Sequence, residues 1–161
     1  MLHHERRALL RSQRMKRRVL FLCTGNSARS QMAEGWLRHL APTHSNVQFD
    51  VFSAGTHPSR VNPFAIAAMQ EVGVDISSHT SKSIDQFRDA PFDYVIAVCD
   101  RAKETCPYLP GAFEAFHWSF EDPAEATGAD DHKLAEFRRI RDQIRDKISN
   151  EFLCLCNDRE S

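Results

Sequence analysis

Residues 19–30 read VLFLCTGNSARS, and the break inside that stretch decides the fold. Val19-Leu20-Phe21-Leu22 is a short, unbroken apolar run of the kind that forms a strand covered on both faces. It ends on Cys23, passes through small polar residues and one glycine, and meets Arg29 six positions after the cysteine. A helical stripe follows over residues 30–40, made of Met32, Ala33, Trp36, Leu37 and Leu40, and Pro42 is expected to end it. Strand, tight loop and helix in that order place the loop at the carboxyl end of a buried strand.

Working outward, the same alternation continues. Residues 47–54 show Val47, Phe49 and Val51 in alternation and predict a second strand. Asn62-Pro63 reads as an N-cap with proline at the first helical position, and Gly73 closes a helix over 64–72. FDYVIAVC (92–99) is apolar enough for a third strand buried on both faces, and AFHWS (115–119) predicts a fourth. Leu134, Phe137, Ile140, Ile144, Ile148, Phe152 and Leu155 step by three or four and define a long final helix. Trp36 and Trp118 read as core. Strands alternating with helices predict an α/β domain on a parallel sheet, whose ligands sit beyond the carboxyl ends of the strands. Cys23 and Cys99 both end predicted strands, so two thiols are expected at one sheet edge.

At 161 residues the chain suits one domain. Its 42% hydrophobic and 27% charged residues place it with soluble globular proteins and against disordered or membrane classes. The net charge of −1 hides an asymmetry, because residues 1–18 hold seven Lys/Arg against one Glu. That basic arm fits nucleic acid in principle, but it lies outside every apolar pattern, so an extension (residues 1–16) is expected and a nucleic-acid partner is not. The catalytic domain is expected over 17–156 with a tail over 157–161, and Met15 is an alternative start to Met1. No stretch approaches the ~18–20 apolar residues of a membrane span, and no signal-peptide core is visible, so a cytoplasmic location is expected. Five cysteines, Cys23, Cys99, Cys106, Cys154 and Cys156, then read as reactive or buried thiols rather than a disulfide framework.

The loop residues Thr24, Gly25, Asn26, Ser27, Ala28, Arg29 and Ser30 can aim backbone N–H groups at one point, where the helix dipole adds positive potential. An oxyanion suits that cradle, and the planar fork of Arg29 can hold two of its oxygens. The same field favours a thiolate on Cys23, which Ser30 can hydrogen-bond, while Asn26 holds the loop's shape. A Cys-x5-Arg-Ser spacing carries little alone; its place between a buried strand and a helix gives it weight. The Gly-Lys-[Ser/Thr] ending of a nucleotide-binding loop is absent, and no Cys/His pairs stand at zinc-ligand spacing, so neither a cofactor nor a metal is expected. An acid must protonate a departing oxygen. Asp122, in Glu121-Asp122-Pro123 after the fourth strand, is the candidate.

CTGNSARSQMAEGW, followed by SAG, NP, HT and HW-x-F-x-DP, resembles the thioredoxin-coupled arsenate reductases of the low-molecular-weight protein tyrosine phosphatase fold, from Arg18 to about Phe152. The resemblance implies a three-layer sandwich, a four-stranded parallel sheet flanked by helices. It implies Cys23 as nucleophile, Arg29 as oxyanion clamp and Asp122 as acid. It further implies a relay in which Cys23 attacks arsenic, Cys99 attacks Cys23 and releases arsenite, and Cys106 leaves a Cys99–Cys106 disulfide for thioredoxin to reduce. Phosphate and sulfate are the expected mimics of arsenate. Seven residues of helix would hold Cys99 and Cys106 ~10 Å apart, beyond the ~7 Å a disulfide tolerates, so forming that bond requires the segment between them to unwind or loop out. Glutaredoxin or another thiol remains open as donor, and the alternative activity is a phosphatase acting through a Cys23 phospho-intermediate. A non-catalytic oxyanion or redox sensor is a third reading.

Some positions depart from the pattern. Ala28 stands where some relatives carry a further cysteine, and Ala124 where true phosphatases of this fold usually carry an aromatic. Asn26, Ser53 and Thr80 match a potassium site of some relatives, but Lys82 occupies its acidic position, so potassium is not expected. Its ammonium either replaces the ion or points to solvent. His79 and His117 are expected as structural hydrogen-bonders, and Cys156 as a small residue on the final helix stripe.

Overall fold

The computed structural model describes residues 16–100 and 113–160. The elements run β1 (Lys16–Cys23), α1 (Arg29–His44), β2 (Gln48–Gly55), α2 (Pro63–Gln70), β3 (Tyr94–Ala97), β4 (Glu114–His117), α3 (Asp130–Lys147) and α4 (Leu153–Glu160). The four strands form one sheet in the order β2-β1-β3-β4, with every pair parallel. This is the predicted α/β architecture. β1 is central, and Val19, Leu20, Phe21 and Leu22 are fully buried, as an unbroken apolar run between two neighbours requires. Helices also pack on one another: the Trp36 indole N–H of α1 donates to the Arg141 carbonyl of α3 at 3.0 Å, and Phe64 of α2 meets Phe137 of α3 at 5.6 Å between ring centres. Among the described residues, no helix is long and apolar enough to cross a membrane.

Three predicted boundaries shift. α1 does not stop at Pro42 but carries it inside and runs to His44, because Thr43 Oγ1 and the His44 ring both reach the Leu40 carbonyl near the helix end. The third ladder is shorter than the apolar run, although Asp93 N–H donates to the Arg18 carbonyl and Val98 N–H to the Leu22 carbonyl, keeping the chain beside β1 past both ends. Residues 157–160 are helical rather than a tail: Asn157 bonds Ser45 and the His44 carbonyl, and Arg159 pairs with Glu114.

The long final stripe survives through a π turn at Ile148–Phe152. Ile140, Ile144, Ile148, Phe152 and Cys156 all stay buried, although each four-residue step advances ~40° round an α-helix. The wider turn takes back that drift and keeps the stripe on the core. Cys156 is therefore a core residue.

Gly55, at the end of β2, stands against the loop after β1. A Cβ there would lie 2.6 Å from the Thr24 carbonyl oxygen and 2.7 Å from the Asn26 nitrogen, both backbone atoms that cannot swing away. Gly55→Ala is expected to cost about 2 kcal/mol by overpacking, read as a lower midpoint in denaturant, and to slow alkylation of Cys23 by displacing the loop.

Candidate active site

Cys23 ends β1, 3% exposed, and the loop that follows wraps round it. Its carbonyls are consumed from outside. Thr56 N–H donates to the Cys23 carbonyl, His57 to Thr24, Ser59 to Gly25 and Asn62 to Ser27, at 2.8–3.3 Å. Gln31 Nε2 takes the Asn26 carbonyl at 3.1 Å, and Met32 N–H takes that of Ala28 at 2.9 Å. With the carbonyls held by their surroundings, the amides of the loop are left for the concave side. Ala28, the N-cap of α1, supplies no side-chain oxygen to occupy the first-turn amides. Donors without acceptors at a helix N-terminus make an anion cradle.

Asn26 shapes the turn. It is fully buried in the left-handed region (φ 46°), a conformation asparagine tolerates better than most residues. Its side chain fixes the polarity of everything around it. Oδ1 accepts from Lys82 N–H at 2.8 Å, and a backbone amide can only donate, so Nδ2 must face Ser30 and Ser53, each at 2.9 Å. Ser30 Oγ thus accepts from Asn26, and its own proton is free to donate to Cys23 Sγ at 2.8 Å. The chain of donors terminates on sulfur, which suits a thiolate.

Behind the loop lies a carboxylate that sequence reading missed. Glu34 is 3% exposed, accepts from Ser53 Oγ at 2.6 Å and pairs with Arg38. Gln31, fully buried, donates to Asn26 Oδ1 and the Thr80 carbonyl, and its Oε1 accepts from His79 Nδ1 at 2.9 Å. His79 Nε2 faces an Arg38 N–H at 3.3 Å and must accept. His79 is therefore the neutral Nδ1–H tautomer, assigned from its partners. Burial pushes its pKa below the ordinary histidine value, with Arg38 and Lys82 adding to the shift against the pull of Glu34. Lys82 does not simply point to solvent: Nζ donates to the Thr80 carbonyl at 2.7 Å, and burial lowers its pKa while Glu34 opposes. The Lys82 ammonium thus stands on the carbonyl of Thr80, one of the three matched residues, and its backbone N–H on the side chain of Asn26, another. The missed signal was positional: residues 30–37 are buried all round α1, so polar residues among them had to be paired.

On the open side, Arg29 is the first residue of α1. Nη1 donates to the Phe120 carbonyl at 3.0 Å, and Nη2 lies 3.6 Å from Asp122 Oδ2. Asp122 also caps Pro123–Glu125 by accepting from Ala124 N–H at 3.0 Å. Cys99 is 4% exposed with Sγ 3.5 Å from Thr24 Oγ1, one residue from Cys23. A cleft lined by Thr24, Arg29, Cys99, Ser119, Phe120 and Asp122 joins these groups. The site thus brings Cys23, the loop Thr24–Ser30, Arg29, Cys99 and Asp122 together; Cys106 lies outside the described residues. Cys154 is exposed on α4, distant in sequence from every group of the cleft.

This combination of sheet, loop and paired arginine defines a class. The family model for low molecular weight phosphotyrosine protein phosphatase matches residues 18–159, and the chain belongs to that family. Within it, the chain is similar to an arsenate reductase of Halalkalibacterium halodurans, 47% identical over 133 residues that cover 83% of this chain and 93% of the relative. It is 44% identical to an arsenate reductase of Bacillus subtilis over 81% of this chain and 91% of the relative. A solved arsenate reductase in its phosphate-binding state superposes with a TM-score of 0.68 at 34% identity, covering 87% of this chain and 98% of that one.

Asn26→Asp keeps a side chain that tolerates the left-handed turn but removes both donors, and should slow iodoacetamide alkylation of Cys23 at least tenfold, read by peptide mass spectrometry. Asp122→Asn removes the carboxylate that competes for Arg29, and inorganic phosphate should bind about three- to tenfold more tightly by calorimetry. A histidine whose folded pKa is depressed binds more protons unfolded, so stability is present above the unfolded value of 6.5 and falls as pH drops below it. His79→Asn should flatten that part of the stability profile.

Proposed function

We propose that the chain reduces arsenate to arsenite through a relay of Cys23, Cys99 and Cys106, with thioredoxin as electron donor and the cytoplasm as its location. The observation that carries this reading is the second thiol. A phosphatase of this fold needs one cysteine, because water completes its cycle, whereas a reductase must supply two electrons. Cys99 stands buried against Thr24, facing the loop that holds Cys23.

In the first step the Cys23 sulfur attacks arsenic while the loop amides and Arg29 hold the other oxygens. Asp122 protonates the departing oxygen, which leaves as water. The Cys99 sulfur then attacks Cys23, forming the Cys23–Cys99 bond. The S–As electron pair passes to arsenic, which falls from the pentavalent to the trivalent state, and the Cys99 proton goes to the arsenite leaving. Cys106 attacks Cys99 and returns Cys23 as a thiolate. Thioredoxin reduces the resulting Cys99–Cys106 disulfide, and the low-potential dithiols of a reducing compartment suit that last exchange. Residues 17–156, extended through α4, form the catalytic unit. Lys82 supplies a fixed positive charge near Glu34, so turnover should be insensitive to exchange of potassium for tetramethylammonium.

The test is arsenate-dependent NADPH oxidation with thioredoxin and thioredoxin reductase. Wild type should turn over steadily, and Cys106→Ser should stop after about one equivalent. Equal turnover by both would overturn the relay. No arsenate turnover with hydrolysis of an aryl phosphate would make the chain a phosphatase, the other chemistry this family's loop supports.

A further inference from the structure

Among the described residues, a polar cluster at the cleft centres on Asp100 and is not used by the relay. Asp100 follows Cys99 directly, and 74% of its side chain is exposed, yet its carboxylate is gripped twice. Oδ1 accepts from Ser119 Oγ at 3.1 Å and lies 2.9 Å from His117 Nε2. Both side chains come from the exit of β4, the neighbour of β3 in the sheet. They flank Trp118, which is buried and whose N–H donates to the Ala97 carbonyl at 2.8 Å. With Trp118 locked inward by that bond, residues 117 and 119 share the opposite face and converge on Asp100.

We infer that His117 is a positioning residue for the second thiol: with Ser119 it holds Asp100, and through Asp100 it fixes Cys99 Sγ against the Cys23 loop. The inference rests on the proposed relay and adds to it. Cys99 is bracketed by two ties, the Val98 N–H to the Leu22 carbonyl on the β1 side and the Asp100 carboxylate to His117 and Ser119 on the β4 side. Without the second tie, the β4 side holds this segment no further along than the Trp118 N–H to the Ala97 carbonyl, two residues before Cys99. Sulfur–sulfur displacement needs an aligned approach, so a loose Cys99 attacks more slowly though no group at the reacting atoms has changed. The exit of β4 serves the other half of the site as well. Its Phe120 carbonyl takes Arg29, and Asp122 follows two residues later. Residues 117–122 thus set the anion clamp and the second thiol against one another from a single segment.

The cluster is exposed, and an exposed pair contributes little to global stability, so its removal reports position rather than folding. The experiment is a single turnover of the full reduced chain with excess arsenate, quenched over time, following arsenite release and the alkylation of Cys23 and Cys99. Wild type must release arsenite, or the relay itself fails, which is a separate outcome. In His117→Ala, arsenite release should slow about three- to tenfold with the dependence on arsenate concentration unchanged, while Cys23 in the arsenate-free protein alkylates at the wild-type rate. His117→Gln, which keeps a donor for Asp100, should recover most of the loss, and Ser119→Ala should lower the rate in the same direction. Arsenite release at the wild-type rate in His117→Ala would overturn the inference. So would an equal slowing of Cys23 alkylation, which would make His117 a support of the fold instead.

Discussion

The Asn26 side chain is the interaction on which the site depends. One buried amide, in a left-handed turn, accepts from the Lys82 backbone and from Gln31 and donates to Ser30 and Ser53. It has no spare bonding capacity, and none of its four partners can be reversed without leaving a buried group unpaired. The orientation of Ser30 toward Cys23 follows from it. So does the closeness of β2 to the loop, which Gly55 alone permits. A nucleophile built this way has its hydrogen-bond donor in place before substrate arrives.

That arrangement places a carboxylate, Glu34, and the cations Arg38 and Lys82 behind the loop rather than in the cleft. Each is satisfied: Glu34 by Ser53 and Arg38, Lys82 by the Thr80 carbonyl. Buried charge is tolerable only when paired and hydrogen-bonded, and its function here is to hold polar groups in one orientation. The open side is different in kind. Arg29 there rests on Phe120 and Asp122, partners an oxyanion can replace, whereas the side chains behind the loop are bonded to one another.

Much of this was legible in the sequence because it rests on local rules. The apolar run Val19–Leu22 has one good solution, a central strand, and the cysteine at its end inherits its position from the topology. Asn62-Pro63 gave the N-cap of α2 through capping chemistry. Pro42 misled because a proline in the last turn of a helix removes only one hydrogen bond, its own N–H to the carbonyl four residues back. The network of Gln31, Glu34, Arg38 and His79 was hidden for another reason. Its members are scattered over some fifty positions and come together only when α1 is buried all round, a tertiary fact without periodic signature. The same holds for Asp100 with His117 and Ser119, joined only by the pairing of β3 with β4.

The central claim is that two electrons pass from the chain's own thiols to one oxyanion bound at Cys23. The most direct measurement gives fully reduced protein one equivalent of arsenate, with no external reductant, and maps every cysteine by mass spectrometry. The account predicts about one arsenite per chain, a protein lighter by two hydrogens, and a single disulfide joining Cys99 to Cys106 with Cys23 free. Five free thiols and unchanged arsenate would contradict it.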